Sequence, residues 1–494
     1  MNTRNKKFQI IILIVGMIVG VISVYAETGD TTKIHRKAQV TFAHPIGTNG
    51  DEAAQVINNF SFNLLYGVSG GVNGAEIGIL INNTSGNIKG FQFAGIGNSA
   101  KGTTNGFQAA GLYNVVMDEV IGFQFAGITN INRQSVNGAT ISGITNLIRE
   151  DARGFVFSGL GNNVRGTARG FQGAGLYNLT EKESDGAQFA GLANINLKDT
   201  RGAYFAGLGN ILNGDSRGAQ FAGLSNINTG KMNGAQVAGL ANVNIKDIQG
   251  AQIAGLANVA NETSQTQIAG LANVVVEESS GLQLAGLANI SPEEHRGAQI
   301  AGLMNYTKRM NGFQLAFVNV SDTVKRGVPI GFISIVAHGY RRIEVEGNEV
   351  LYVNVNFKTG TTKFYNIFSV GYRPDGDTQN WGVTYGFGTL ARISNRFNFN
   401  MDLTATHLNE DEGWTNELNL LNRLKFNASY LITKRLEIFG GPSLNVAVSK
   451  LTNSEGEVVG SSIVPSYGFY NETVRGTNVK MYIGFNLGIR FLTN

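Results

Sequence analysis

The stretch GAQFAGLANINLKDTR runs from Gly186 to Arg201, and GAYFAGLGNILNGDSR follows it directly from Gly202 to Arg217. Both fit the consensus G-[AF]-Q-h-A-G-[LI]-x-N-h, in which h is apolar, and each closes with a mostly polar segment. Such units begin at Gly74, Gly90, Gly106, Gly122, Gly138, Gly154, Gly170, Gly186, Gly202, Gly218, Gly234 and Gly250 and, after a slip of one residue, at Gln265, Gly281, Gly297, Gly312 and Gly327. A fixed period of this kind is the signature of a repeat array.

The composition of the repeat favours strands over helices, because each interior glycine costs a helix up to about 1 kcal/mol. In a β-solenoid each unit forms one coil, stacked on the next at about 4.8 Å. The ninth residue of each coil then lies on its equivalent in the previous coil, and we expect a ladder of amide hydrogen bonds there. The asparagines concerned are Asn82, Asn98, Asn114, Asn130, Asn146, Asn162, Asn178, Asn194, Asn210, Asn226, Asn242, Asn258, Asn273, Asn289 and Asn305.

The solenoid also predicts roles for other positions of the repeat. The third position, as in Gln188 and Gln220, is predicted to form a second ladder. The narrow interior is expected to take Ala, Gly and Leu, and Ala190-Gly191 is a predicted corner because glycine permits unusual backbone angles. On this basis Asn226→Ala should destabilise the repeats far more than Asn228→Ala.

The alternative architecture is one large transmembrane β-barrel with one strand per unit. Connections in such barrels alternate between short turns and longer loops. The repeat spacing instead stays at sixteen residues for eleven consecutive steps. The sequence therefore favours a β-solenoid of about seventeen 16-residue repeats over 74–330.

A two-residue alternation of apolar and polar residues replaces the repeat from about residue 331. In VKMYIGFNLGIRF every second residue from Val479 to Phe491 is apolar, which suits a tilted membrane strand of about 9–11 residues or more. We predict an eight-stranded antiparallel outer-membrane-type β-barrel over 331–494, with a soluble β-sandwich as the alternative. The other segments are RFNFNMDLTATH and about 331–343, 348–358, 363–373, 379–392, 417–431 and 434–448.

The beginning of the chain predicts export. MNTRNKKFQIIILIVGMIVGVISVYAETGD has a basic start, an apolar run and Ala26 before Glu27, the pattern of a cleaved signal peptide over 1–26. A single membrane anchor is the alternative. The absence of cysteine from the sequence excludes a disulfide framework. Removal of this segment lowers the formal net charge by three, from +4 to +1, so the charge indicates no nucleic-acid partner. We expect 27–73 to form a β segment that caps the repeats.

Five features of the chain resemble a known family. They are VTFAHPIGTNG, NNFSFNLLYGVSGGVNGAEIG, the GxQxAGLxN repeats, KFYNIFSVGYRP and MYIGFNLGIRF. Together they are similar to the surface-repeat proteins of Bacteroidota-type Gram-negative envelopes, over nearly all of the mature chain. The resemblance implies an outer-membrane location and no particular biochemical activity. The chain ends in RFLTN, whereas many outer-membrane barrels end on an aromatic residue.

Carboxylates in the polar connectors are the main candidates for chemistry. Asp199, Asp215 and Asp247 share position fourteen of the repeat, but Lys231 interrupts their column. Paired acids could hydrolyse glycans, whereas solvated turns are the simpler interpretation, which we favour. The remaining candidates in successive connectors are Glu277, Glu278, Glu293 and Glu294.

Aromatic residues and histidines give weaker signals. Position two carries phenylalanines that suit either sugar stacking or packing between coils, and we favour packing; they are Phe91, Phe107, Phe123, Phe155 and Phe171. The histidines show no metal-ligand spacing; they are His35, His44, His295, His338 and His407. We therefore predict no catalytic, cofactor-binding or metal site.

These features together predict an all-β, non-enzymatic cell-envelope protein. Its solenoid serves for structure or for binding a macromolecule, and its barrel holds it in the outer membrane. The expected partners are outer-membrane lipid and a surface glycan or another host or envelope macromolecule, with no cofactor. A channel or porin-like large barrel and a glycan-active β-helix enzyme are the alternative functions.

Overall fold

The computed structural model describes residues 33–375 and 378–492. The predicted signal peptide lies outside these residues. The chain divides into two compact units, Met1–Arg149 and Glu150–Asn494. Parallel solenoid coils form the described part of the first unit and much of the second, about 17 turns in all, and a closed eight-stranded antiparallel barrel completes the second. The predicted fold class is confirmed.

The first unit begins with a short capping arrangement on its first coil. One 3-10 helix, Gly50–Gln55, follows two strands, and Arg36 bonds Asn49 at 2.8 Å and Glu52 at 3.2 Å. The strands are β1 (Ile34–Ala43), β2 (Ile46–Gly47), β3 (Val56–Ser69), β4 (Gly71–Gly78), β5 (Ile81–Thr84), β6 (Ile88–Ala94), β7 (Gly97–Ala100), β8 (Thr104–Ala110), β9 (Tyr113–Val116), β10 (Val120–Ala126), β11 (Thr129–Asn132), β12 (Val136–Ser142) and β13 (Thr145–Ile148). Strand β1 pairs in parallel with β3 and, at its end, antiparallel with β2.

The solenoid of the second unit repeats one long and one short strand per coil. Its strands are β14 (Ala152–Ser158), β15 (Gly161–Val164), β16 (Ala168–Ala174), β17 (Tyr177–Thr180), β18 (Ser184–Ala190), β19 (Ala193–Asn196), β20 (Thr200–Ala206), β21 (Gly209–Leu212), β22 (Ser216–Ala222), β23 (Ser225–Asn228), β24 (Met232–Ala238), β25 (Ala241–Asn244), β26 (Ile248–Ala254), β27 (Ala257–Ala260), β28 (Thr263–Ala269), β29 (Ala272–Val275), β30 (Ser279–Ala285), β31 (Ala288–Ala301), β32 (Met304–Leu315), β33 (Val318–Ile330) and β34 (Ile333–Val336).

Equivalent repeat positions pair in register between coils. Gly186 lies opposite Gly202 in the pair β18–β20, and Asn194 lies opposite Asn210 in β19–β21, both in parallel. A single large membrane barrel would require antiparallel neighbours. The parallel register therefore overturns that alternative for the repeats.

The two glycines of each repeat are required for different reasons. Gly186 has a φ of 138°, a backbone angle that residues other than glycine rarely adopt. At the corner, a Cβ on Gly191 would lie 2.0 Å from the carbonyl oxygen of Gly175 in the previous coil. The predicted corner at Ala190-Gly191 exists, but the close approach of the backbones explains its glycine, whereas the unusual backbone angle is at position one.

The interior of a coil is polar and small. In the coil that starts at Gly234, the inward residues are Gln236, Ala238, Asn242, Asn244 and Ile248, all buried. The leucine of position seven was expected inside, but it faces outward because the corner glycine before it turns the chain. The solenoid is therefore held by amides within and carries much of its apolar surface outside.

The barrel contains eight antiparallel strands in chain order, closed between the first and the last. They are β35 (Tyr340–Asn348), β36 (Val353–Gly360), β37 (Tyr365–Asp375), β38 (Thr378–Arg392), β39 (Phe397–Asn409), β40 (Asn419–Leu431), β41 (Leu436–Ser449) and β43 (Thr477–Leu492), with β42 (Tyr470–Val474) paired to β43 outside the closed ring. The predicted strand at 331–343 is divided, because Ile333–Val336 completes the last coil by pairing with β33. Closure of the ring overturns the β-sandwich alternative.

The polarity of the barrel is the reverse of that of a soluble protein. Its lumen holds buried charged residues, among them Glu344, Lys358, Asp402 and Arg490. Its outer wall is apolar and exposed, with Val345, Val355, Phe357, Val370, Val383, Phe387, Met401, Leu403, Leu444, Ile483, Phe485 and Leu487. In the part of the chain that the structure describes, no helix is long and apolar enough to cross a membrane.

Candidate functional site

The asparagine ladder predicted from the repeat is confirmed. Asn210 Nδ2 donates to Asn226 Oδ1 at 2.8 Å, and Asn226 Nδ2 donates to Asn242 Oδ1 at 2.9 Å. Asn226 Nδ2 also donates to the carbonyl oxygen of Val237 in the next coil at 2.8 Å. Each amide is therefore satisfied by its neighbours, and the ladder is a scaffold rather than a ligand site.

The glutamine ladder is also confirmed, and the structure adds a buried asparagine pair at position eleven. Gln236 Nε2 donates to Gln220 Oε1 at 3.0 Å, in the column that continues through the later coils. Asn228 at position eleven is fully buried, and its Nδ2 donates to Asn244 Oδ1 at 3.0 Å and to Gly230 O at 2.8 Å. The prediction that Asn226→Ala destabilises the repeats far more than Asn228→Ala stays a prediction, but the expected difference is smaller because the Asn228 side chain also points into the coil.

The position-fourteen carboxylates Asp199, Asp215 and Asp247 line a groove of about 630 Å³. Asp199 Oδ1 accepts the backbone N–H of Asp215 at 2.9 Å, and Asp215 Oδ1 accepts that of Lys231 at 2.8 Å. Lys231 Nζ lies 3.3 Å from Asp247. These side chains hold the connector backbone of the following coil, and arginines such as Arg217 line the same groove. The groove offers both signs of charge, and these three carboxylates contact backbone N–H groups and Lys231.

Glu294 is surrounded by cations. Its carboxylate lies 2.9 Å from Arg296, 3.2 Å from Arg309 and 3.1 Å from Lys325, and its side chain is 5% exposed. The bonds from Arg296 and then Lys325 lower the pKa of Glu294 to about 2. A glycosidase acid needs a raised pKa, so Glu294 is suited to an ion cluster instead. Glu293 pairs with Arg309 at 3.5 Å.

The phenylalanines lie outside the coils and stack on one another. The rings of Phe91, Phe107 and Phe123 are 5.2 Å apart in successive coils with nearly parallel planes. In the second unit, Phe189 and Phe205 at position four stack at 4.6 Å. A sugar stacks on a free ring face, whereas each of these rings has a neighbouring ring in its column. Phe155 is more open, since it is 62% exposed and lies tilted against Phe171 at 5.9 Å. The packing interpretation is therefore supported.

The histidines are dispersed, and one is buried in the solenoid. His295 Nδ1 lies 2.8 Å from Ser279 Oγ, and burial lowers the pKa of His295 to about 4. His338 contacts Asp322 at 2.8 Å, and His407 stacks on Trp414. Within residues 33–375 and 378–492, no group of three or more His, Cys, Asp or Glu residues is placed to hold a metal ion.

The barrel lumen contains an ion-pair network that the sequence did not reveal. Lys358 lies 2.7 Å from Asp402 and 3.1 Å from Glu344, and Arg490 bonds Glu344 and, at 3.0 Å, Glu437. The one available signal was the charge on the polar face of each alternating strand. A second lumen pair joins Lys425 and Glu346 at 2.8 Å. Because these side chains are buried against one another, the network fills the interior around them.

The comparisons with known proteins identify no relative. No family model matches the chain, and neither a curated protein nor a solved structure does.

Proposed function

We propose that this protein is a non-enzymatic cell-envelope protein whose barrel spans the outer membrane and holds a solenoid scaffold. The observation that carries the proposal is the reversed polarity of the barrel. Exposed Val, Leu, Ile, Met and Phe residues cover the wall, and charges are confined to the lumen. Such a wall is unfavourable in water, where it forms a large apolar patch, and is matched by lipid.

The backbone of the barrel also suits lipid. Every strand of the ring is paired on both sides, including β35 with β43, and hydrocarbon tolerates only structures whose backbone groups are satisfied internally. Several strands, such as Phe397–Asn409 and Thr477–Leu492, exceed the ~9–11 residues that span a bilayer. These features support insertion in the outer membrane, and the signal peptide predicted over 1–26 would provide the export that insertion requires.

The lumen supports an anchor rather than a channel. Glu344, Lys358, Asp402 and Arg490 are buried in contact with one another, where a porin has a water-filled lumen. We expect the purified protein to give no steady conductance in a planar bilayer. Ohmic, porin-like steps of conductance would instead support the alternative function as a channel.

The connector groove is the proposed surface for a macromolecular partner. It presents Asp199, Asp215, Arg201 and Arg217 on successive coils, so a surface glycan or another envelope macromolecule with both donors and acceptors would match it. The repeats would thus display the same polar surface many times.

The anchor is tested with one wall variant and one loop variant of the full chain. Leu403→Arg places a charge on the wall, at a cost of about 2–4 kcal/mol near the bilayer midplane. Val459→Arg makes the same kind of change in the exposed segment before β42. We expect wild type and Val459→Arg to fractionate with outer membranes and to show heat-modifiable gel mobility, and Leu403→Arg to lose both. Recovery of the wild-type chain as a soluble periplasmic or cytoplasmic protein would refute the proposal.

A further inference from the structure

The charges of the repeats are confined to one part of each coil. In the fourteen consecutive units from Gly90 to Asn311, none of the first eleven residues is Asp, Glu, Lys or Arg. All charged residues of these units fall in the polar connectors, such as Lys198, Asp199 and Arg201 in one coil. Each coil is therefore divided into an uncharged side and a charged side.

The uncharged side carries an exposed apolar column in the second unit, which we name the leucine stripe. Ten successive coils place a leucine there with 39–52% of its surface exposed: Leu160, Leu176, Leu192, Leu208, Leu224, Leu240, Leu256, Leu271, Leu287 and Leu303. At about 4.8 Å per coil the stripe is about 43 Å long. Exposed phenylalanines of position four, such as Phe189 and Phe221, lie beside it. A patch of this length marks an interaction surface.

The backbone N–H and C=O groups beneath the leucine stripe form hydrogen bonds between successive coils. The N–H of Leu240 donates to Leu224 O at 2.9 Å, and that of Leu256 donates to Leu240 O at 2.9 Å. The same bond joins the stripe from Leu160 to Leu303 at 2.8–3.1 Å. A protein partner usually finds polar groups at the rim of its contact, whereas this surface offers only satisfied backbone and hydrocarbon. That is the condition for contact with lipid chains.

The end of the stripe lies on the apolar wall of the barrel. Phe317 and Phe332 continue the column by stacking at 5.0 Å, and Phe332 stacks on Tyr385 at 4.3 Å. Tyr385 stands on the outer face of β38 between Val383 and Phe387, which are exposed. Its hydroxyl donates to Phe332 O at 3.0 Å. The apolar surface therefore passes from the solenoid to the barrel wall through stacked rings.

We propose that the leucine stripe lies on a lipid bilayer, in the leaflet beside the barrel, with the charged connectors directed toward water. The proposal rests on the proposed function, since it takes the barrel wall to be in lipid. It adds that the repeats of the second unit are a membrane-surface element. The occupant of the stripe is the bilayer and not a second copy of the chain.

The absence of cysteine from the sequence allows single fluorescent probes to be placed. In the full-length protein, Leu240→Cys is compared with Lys246→Cys of the same coil, and Leu192→Cys with Lys198→Cys of another. Val383→Cys marks the barrel wall. Each variant is labelled with the polarity-sensitive dye NBD and reconstituted in phosphatidylethanolamine–phosphatidylglycerol vesicles, with and without lipids that carry a nitroxide quencher on the acyl chain.

We expect blue-shifted emission and quenching by the nitroxide lipid at Val383, Leu240 and Leu192, and neither effect at Lys246 and Lys198. Quenching at Val383 alone would overturn the inference and leave the barrel anchor standing. A blue shift at Leu240 and Leu192 without lipid quenching would overturn it in favour of a protein occupant, such as a second copy. Lack of quenching at Val383 would remove the barrel anchor and the inference with it. Far-UV circular dichroism confirms that each labelled variant retains its strands.

Discussion

Replacement of Asn226 by alanine tests whether the amide ladder holds the solenoid together. Asn226 accepts from Asn210 and donates to Asn242 and to the carbonyl oxygen of Val237. Alanine removes these bonds, and a longer one to the carbonyl oxygen of Gln220 at 3.3 Å, at a site that is completely buried. Asn242 Oδ1 then loses its ladder donor, while Asn210 Nδ2 keeps its bonds to Phe221 O at 2.9 Å and Tyr204 O at 3.2 Å. Water cannot reach these groups without opening the coil.

The expected cost follows from the acceptor of Asn242, which loses its ladder donor, and from the two bonds lost by Asn210 and by Val237 O, worth about 0.5–1.5 kcal/mol each. A buried polar group that loses its partner costs about 1–3 kcal/mol, so Asn226→Ala should lower the free energy of unfolding of the repeats by about 2–6 kcal/mol. Asn228→Ala removes the bonds to Asn244 and Gly230 and should cost about half as much. Asn233→Ala makes the same chemical change at an exposed position of the next connector, and surface changes of this kind stay within ~0.5 kcal/mol.

Urea unfolding of the full chain in detergent measures the three variants. The only two tryptophans, Trp381 and Trp414, belong to the barrel region, so their fluorescence follows the barrel while far-UV circular dichroism also follows the solenoid. Because repeat stability is nearly a sum over coils and their interfaces, only the solenoid transition should move. Equal midpoints for Asn226→Ala and Asn233→Ala would show that the ladder contributes nothing.

Three further outcomes are expected. Gln265 lies at position one with a φ of 114°, a strained backbone angle for a residue other than glycine. In the same urea assay, Gln265→Gly should raise the stability of the repeats by about 1 kcal/mol, and Gly250→Ala should lower it. A loss of stability in Gln265→Gly would show that the backbone of Gln265 is not strained. Burial gives His295 a pKa of about 4 in the folded chain, against an ordinary value of 6.5. The unfolded chain therefore binds the proton first, and the stability of the fold decreases by up to about 3 kcal/mol as pH drops from about 6.5 to 4. His295→Met should lose less stability than wild type between pH 7 and 4.5, and equal losses in the two proteins would refute this. Deletion of 218–233 joins Arg217 to Gly234 in unchanged register. In membrane fractionation this chain and a chain that lacks 218–249 should reach the outer membrane equally well. Failure of the 218–233 deletion alone would contradict the stacking of independent coils.

The repeat register and the barrel alternation could be predicted because both are local signals. A glycine at every sixteenth residue and an asparagine eight residues after it define the coil without any knowledge of distant contacts. The buried role of Asn228 was missed because position eleven also holds Thr, Val and Leu, as in Thr180, Val164 and Leu212. A column of mixed residues gives no periodic signal, although its side chains point inward like those of the ladder.

The start of the barrel and its lumen were harder to predict for a different reason. Ile333 and Ile335 flank the polar Ser334, which is compatible with a barrel strand and also with the short strand of a coil. The lumen pairs join residues far apart in the chain, 44 residues between Lys358 and Asp402 and 146 between Glu344 and Arg490. Nothing local in the sequence indicates which lysine or arginine meets which acid.

Strand β1 lies at the end of the solenoid, where a second molecule could add to it and begin a fibre. In-register columns of asparagine and glutamine on parallel strands are the arrangement by which amyloid chains add to one another, so an open solenoid end is a template for the next molecule. Strand β1 opposes this with His35, Arg36 and Lys37 in a row and with β2 folded across its end. Charges and covered edges are the devices by which sheets avoid edge-to-edge association. These features of β1 therefore oppose the stacking of one chain's amide ladders on those of another.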